Sequence, residues 1–241
     1  AAGELEWTKV FDGPSDDYGY SLQQTSDNGF VLAGCTDSDV LLVKVTADGD
    51  LSWARTIGAL QTDAVFAMVP TDEEDGFLLV GHTSSAGAGS NDVLLLKVHQ
   101  AGVLEWGMTI GGSRCDQAYA LDASSEDQFV LAGKTASSSA GGYDALLLKG
   151  NHSGHIEWAK ALGGSSTDYA YAVQSLEDGA AVIAGYTDSF GAGSWDILLA
   201  KVDSVGELVW AMTLGSLDQD QAYALQATTD GGIVVAGSTS G

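Results

Sequence analysis

Five aspartates recur in one setting. Asp17, Asp63, Asp116, Asp168 and Asp220 open the phrases DYGYSL, DAVFAM, DQAYAL, DYAYAV and DQAYAL, at steps of 46, 53, 52 and 52 residues. Carboxylate oxygens are hard ligands, so five of them gathered round one axis would suit a cation such as Ca²⁺, the one cofactor this pattern suggests. Without an ion, crowded like charges would raise one another's pKa or draw hydrogen bonds from neighbouring loops. A plainer chemistry competes. Each aspartate follows a short loop, as in GGSRCD and GGSSTD, where it can cap its own turn by accepting backbone N–H bonds. The turn-cap reading is preferred, because it needs no ion.

A second set of positions suggests ligand stacking. Trp195 in SFGAGSWD, Tyr143 in AGGYD and Asn91 in GAGSND occupy matching places, each just before another repeated aspartate. Aromatic rings there could stack on sugars, as in a lectin. Only two of the four matching positions are aromatic, whereas repeated-site lectins normally repeat the ring.

Other chemistry is sparse. GxSxG, P-loop, GxGxxG, HExxH and EF-hand patterns are absent from the sequence. His82, His99, His152 and His155 form no catalytic pairing, and His152 and His155 are expected to flank an exposed turn in NHSGH, which also holds the sequon Asn151-His152-Ser153. Cys35 and Cys115 lack metal-ligand spacing and are expected to be free thiols, one blade-width apart. Lys44, Lys97, Lys149 and Lys201 each follow a repeated aspartate by five residues, an odd offset that puts lysine and aspartate on opposite faces of one strand. Their partners should therefore be acidic residues on neighbouring strands or blades. Glycosidases need two or three unlike carboxylates at set separations, whereas these acids repeat identically. No catalytic residue is assigned, and a channel-centred carbohydrate-active enzyme ranks third among the readings.

Charge narrows the partners. Nine Lys and Arg against 33 Asp and Glu give a net charge of −24, a field that repels nucleic acid and anionic lipid. No apolar run approaches the ~20 residues of a membrane span, so membrane insertion is not expected. Acidic runs such as TDEED, residues 71–75, read as solvated loops. A saline or extracellular setting suits such a surface.

The elements that must position these residues follow from a repeat. Tryptophans at 7, 53, 106, 158 and 210 keep the same steps as the aspartates. Each full repeat holds four short strand-like runs, here a to d, such as DYAYAV, AAVIAG, DILLAKV and ELVWAMTLG, separated by glycine-rich turns. Four strands every 50 residues or so is the size of a propeller blade. Small side chains in the a runs, among them Ala64, Ala118, Ala170 and Ala222, place strand a innermost.

The order spelled by LVWAMTLGS, STDYAYAV, AVIAGYTDSFGAGSWDILLAKV and DSVGEL resembles the β-propeller repeat of large bacterial and archaeal surface or secreted proteins. The likeness covers essentially the whole chain and implies architecture and location rather than an activity. Repeat one departs from it, with only Asp37 and Ser38 between Thr36 and Asp39.

The expectation is an all-β, five-bladed β-propeller forming a single domain over residues 1–241. Its last blade would be shared between the N-terminal GELEWTKV as strand d and residues 220–239 as strands a and b, and would lack strand c. Trp7 would then pack beside residues 233–236. An unpaired b edge is a liability, so the chain reads as a piece of a longer protein; a fragment of a propeller with more blades is the rival. The functional expectation is a non-enzymatic, extracellular or surface-displayed binding or scaffold module with a protein or glycan partner, and a lectin-like propeller is the alternative.

Overall fold

The computed structural model describes residues 3–11, 13, 15–71, 76–124, 127–240 and no others. Most of the TDEED run therefore lies outside the described residues. Eighteen strands and no helix occur among those described. They form consecutive antiparallel meanders. The first sheet is β1 (Asp17–Gln24), β2 (Phe30–Thr36), β3 (Asp39–Val45) and β4 (Leu51–Ile57). The second is β5 (Asp63–Pro70), β6 (Gly76–Thr83), β7 (Asp92–His99) and β8 (Leu104–Ile110). The third is β9 (Asp116–Ala123), β10 (Gln128–Thr135), β11 (Asp144–Asn151) and β12 (Ile156–Leu162). The fourth is β13 (Asp168–Ser175), β14 (Ala181–Thr187), β15 (Asp196–Val202) and β16 (Leu208–Leu214), and the fifth has only β17 (Asp220–Ala227) and β18 (Ile233–Thr239).

Period and chemistry agree within each sheet. In the second, third and fourth sheets the b and c strands are largely buried on both faces, which is why they read as unbroken apolar runs: FLLV in β6 and ALLL in β11 are almost wholly inaccessible. The d strands alternate and face solvent. Cores lie between sheets. Leu78, Val80, Leu95, Phe129, Leu131 and Leu148 form one such layer, and each fully buried side chain of this kind contributes ~1.5–3 kcal/mol over its exposed state. Packing of β1 on β5, β5 on β9, β9 on β13 and β13 on β17 shows the a strands converging.

Every a strand carries a bulge at its fourth residue. Gly19 pairs with Gly34 and Ser21 with Ala33, leaving Tyr20 without a partner, and Phe66, Tyr119, Tyr171 and Tyr223 are skipped in the same way. The bulge brings a backbone carbonyl of strand a over a glycine of strand b. A Cβ at Gly133 would lie 1.9 Å from the Gln117 oxygen, and at Gly185 1.8 Å from that of Tyr169. The recurrent AGxT-type glycine is thus a contact requirement.

The shared last blade is not what the structure holds. Residues 3–11 form no strand, and Trp7 lies on the first sheet, its Nε1 donating to Ala47 O at 2.9 Å and its ring 6.4 Å from that of Phe30. The reason is a rule that recurs. Each of these tryptophans rests on the glycine of the next c–d turn: Trp53 at Gly102, Trp106 at Gly154, Trp158 at Gly206, and Trp7 at Gly49. Among the described residues, no strand of the fifth sheet packs comparably on the first. Tyr20, Leu22, Tyr223 and Val234 remain exposed at the two ends of the arc.

Candidate functional site

The b–c loops that carry Asn91, Tyr143 and Trp195 are built by small polar residues. Thr135 Oγ1 accepts from the Ser137 and Ser138 amides, and Thr187 Oγ1 from those of Ser189 and Phe190, turning the chain out of strand b. Gly87 and Gly191 follow with φ of +106° and +115°, and each lies against the carboxylate of Asp92 or Asp196. The residue before strand c then stitches one sheet to the next through its backbone. Asn91 O accepts from the Asp116 amide at 2.8 Å, Tyr143 O from Asp168 at 2.6 Å, and Trp195 O from Asp220 at 2.7 Å. Ser38 O does the same for Asp63 at 2.6 Å.

The five first-position aspartates behave as turn caps. Their Oδ2 atoms accept from the amides of Gly13, Ala59, Gly112, Gly164 and Ser216, four residues upstream, at 2.7–3.0 Å. Loop serines add to this, Ser85 to Asp63, Ser137 to Asp116 and Ser189 to Asp168. Hydrogen bonds from Thr36 and Gly13 hold the Asp17 carboxyl below its ordinary range, and those from Thr239 and Ser216 do so for Asp220. Among the described residues, no three His, Cys, Asp or Glu side chains gather closely enough to hold a metal ion.

The three loop residues are brought into one band. Asn91 Nδ2 lies 3.7 Å from Cys115 Sγ, and that thiol is a hydrogen-bond neighbour of the Tyr143 hydroxyl. Tyr143 meets Tyr169 edge to face at 5.6 Å; Tyr169 meets Tyr186 at 4.9 Å, and Tyr186 meets Trp195 at 4.9 Å. Beneath this band runs the ladder of bulged aromatics, Tyr20 to Phe66 at 5.2 Å, then Tyr119 at 5.7 Å, Tyr171 at 5.3 Å and Tyr223 at 5.6 Å. These spacings are those of mutually attractive tilted and edge-to-face pairs.

One cation sits inside the cluster. Lys134 Nζ donates to the Tyr169 hydroxyl at 3.1 Å and lies 4.5 Å over the Tyr143 ring and 4.6 Å over that of Tyr169. Burial pushes the Tyr119 and Tyr186 phenols far above their ordinary value and that of Tyr171 up to about 12, so all three are protonated donors at any physiological pH. Burial lowers the His82 pKa, and its ring lies 5.4 Å from that of Phe66. The mouth therefore offers ring faces, phenolic donors and one ammonium. Ring faces and phenols of this kind have the chemistry to stack on planar or apolar groups.

Sequence reasoning placed Asn91, Tyr143 and Trp195 correctly in equivalent loops. It missed Tyr119 and Tyr171, because alternation within a strand does not reveal a bulge, and Tyr169, Tyr186 and Lys134, because their convergence depends on how neighbouring sheets pack. The four strand-c lysines do pair within their own sheets. Lys97 and Lys149 reach Glu105 and Glu157 at the bulge of strand d, 3.3 and 3.7 Å away. Ser52 and Val209 replace that glutamate elsewhere, and Lys44 and Lys201 turn to Asp27 and Asp178 at 2.7 and 3.3 Å. His152 departs from expectation: it is buried, with Nδ1 3.0 Å from Asp127 Oδ1. Both cysteines are free.

No family model matches the chain. The regulatory protein FlaEY of Caulobacter vibrioides is 38% identical over 69 residues, 27% of this chain and 7% of that protein. Among solved structures, the Neurospora crassa Pan2 WD40 domain superposes with a TM-score of 0.56 at 11% identity, over 93% of this chain and 61% of that domain. A glucose dehydrogenase superposes with a TM-score of 0.37 at 10% identity, over 92% of this chain and 93% of that one. The chain thus spans a small part of the curated relative and less than two thirds of the WD40 domain. The repeated four-stranded sheets are those of a β-propeller, WD40-like in arrangement.

Proposed function

We propose that this chain is a single five-bladed β-propeller domain, acting without catalysis as an extracellular or surface-displayed binding or scaffold module for a protein partner. The observation that supports it best is the band from Asn91 to Trp195. Loop residues drawn from three blades converge on an aromatic, partly accessible mouth around Lys134, while the bonds that hold the loops use backbone and small polar groups. Aromatic side chains on a rigid frame are what protein contact surfaces enrich. The acidic exterior directs that contact towards neutral or basic surfaces and away from nucleic acid.

The test is selection of binders from a displayed peptide library, followed by Trp195→Ala and Tyr143→Ala. Each variant should weaken the selected binders at least about tenfold while leaving the melting temperature within a few degrees. Binders indifferent to both changes would remove the mouth as the contact surface. A lectin-like reading keeps a specific basis, since Tyr143 and Trp195 do share one surface with Tyr169 and Tyr186. Sugar binding on a glycan array, lost in Trp195→Ala, would replace the protein-partner reading.

A further inference from the structure

In the first four sheets strand b pairs antiparallel with strand c in a single register. Thr36, Thr83, Thr135 and Thr187, which close the b strands, face Asp39, Asp92, Asp144 and Asp196, which open the c strands. Near the other end of each pair, Val31, Leu78, Val130 and Val182 face Lys44, Lys97, Lys149 and Lys201. Strand β18 carries the same series from Val234 to Thr239, held against β17 in the register that β14 keeps against β13. Its outer edge has no strand partner among the described residues. A row of backbone groups on such an edge is a template for one more strand.

A receptor for the strand-c lysine stands beside that edge. In the first sheet Lys44 Nζ donates to Asp27 Oδ1 at 2.7 Å and to Thr25 Oγ1 at 2.6 Å, both in the a–b turn. Asp27 is held ready by Thr25 Oγ1 and by the Gly29 amide, in a turn closed by Thr25 N to Gly29 O at 2.9 Å. The a–b turn of the fifth sheet repeats this bond for bond. Asp230 accepts from Thr228 Oγ1 and from the Gly232 amide at 3.2 Å, and Thr228 N donates to Gly232 O at 2.8 Å. Asn28 and Gly231 share the same backbone bend, with φ of +63° and +84°. Among the described residues, no cation pairs with Asp230.

The fourth sheet supplies a second marker. Trp158 seats its ring on Gly206 in the following c–d turn, and its Nε1 donates to Ser204 O at 3.1 Å. Trp210 is the next of that series and is half-buried, but the turn that would meet it follows a strand c, which the fifth sheet does not have among the described residues.

We propose that the outer edge of β18 takes up an extended segment of a separate polypeptide with the pattern Asp-x-Leu-Leu-x-Lys-Val-Asp-x-x-Gly, paired antiparallel, its lysine on Asp230 and its glycine against Trp210. Backbone bonds alone would accept any strand. The ammonium and the glycine, each with one place to go, fix direction and register. An intact second copy is not the donor, because each of the four c strands in this chain is already paired on both sides. The edge uses none of the residues of the aromatic mouth, so it stands whether or not the mouth binds a partner.

The test is titration of the isotope-labelled full chain with a synthetic peptide, DILLAKVDSVG, the sequence of residues 196–206. Saturable shifts are expected at the β18 amides and at the Trp210 indole N–H, with Tyr143 and Trp195 unmoved. The same peptide N-methylated at alternate amides should not bind, since it cannot complete the ladder. Asp230→Asn keeps an oxygen for Thr228 and Gly232, so the turn should fold as before. That change, and norleucine in place of the peptide lysine, should each weaken binding about threefold, and the two together no more than either alone. Unmoved β18 amides, affinity indifferent to the lysine, or additive losses in the combined variant would each overturn the proposal. So would a β18 edge already covered by self-association of the chain, because its occupant would then be a second copy.

Discussion

Individual residues carry two kinds of demand, and only one leaves a trace in a single sequence. The turn-capping aspartates were legible, since an acid after a Gly/Ser loop recurs five times and each accepts the amide four residues upstream. The strand-b glycines were visible as a repeat, but their reason was not, because it depends on a carbonyl lifted by the bulge across the ladder. Gly133→Ala should accordingly cost about 1–3 kcal/mol, near the upper end since the obstacle is backbone, measurable by denaturant titration. An unchanged midpoint would mean that the bulge relaxes. Asp144 makes a prediction of opposite sign. Its folded pKa is raised, so its stabilising contribution is complete below the ordinary carboxyl value of about 3.9 and is lost as pH rises through the folded value. At neutral pH the ionised group is therefore a liability. Asn keeps an oxygen for the Ala140 amide, 3.0 Å away, so Asp144→Asn should melt higher than the parent at pH 7, the gap closing towards pH 3. A gap independent of pH would show that Asp144 is not the titrating group.

Among elements, strand type and order were readable because b and c strands of the second, third and fourth sheets are largely buried on both faces while a strands alternate and d strands face water. Their relations across sheets were not. The same tryptophan that marks strand d also seats on the next c–d turn, so Trp7 suggested a ladder in the last sheet where the structure has a clasp on the first. His152 was misplaced for a related reason: the turn bearing it is pinned by the Asp127 carbonyl and carboxylate, groups distant in sequence. Removing residues 1–9 should still destabilise the protein, through lost burial of half-exposed Trp7 on Gly49 and Phe30, by about 1–3 kcal/mol. Loss of the exposed Lys9 to Asp50 pair should add little. Amide exchange locates the effect: protection should fall in β2 and β3 and stay unchanged in β17 and β18. Equal loss in β18 would restore the shared-blade arrangement.

As a whole, the molecule is an arc of sheets that bury their cores against one another, each bonded to its neighbours through interfaces of one design. Stability in such arrays sums repeat and interface terms, so exchange should be slowest in β10, β11 and β14 and fastest in β18, whose outer edge has no strand partner among the described residues. A net charge of −24 spread over this frame repels itself, and raising ionic strength should raise the melting temperature. A melting point insensitive to salt would mean that the acids are already neutralised locally. The inter-sheet stitches have a different bearing on what such a protein can become. At Ser38, Asn91, Tyr143 and Trp195 it is the carbonyl that joins one sheet to the next, and four unlike side chains already stand on one identical bond. Those positions are interchangeable sockets, as hypervariable loops are on an antibody frame, and a library randomised at 38, 91, 143 and 195 should keep the parental fold while changing what the mouth recognises.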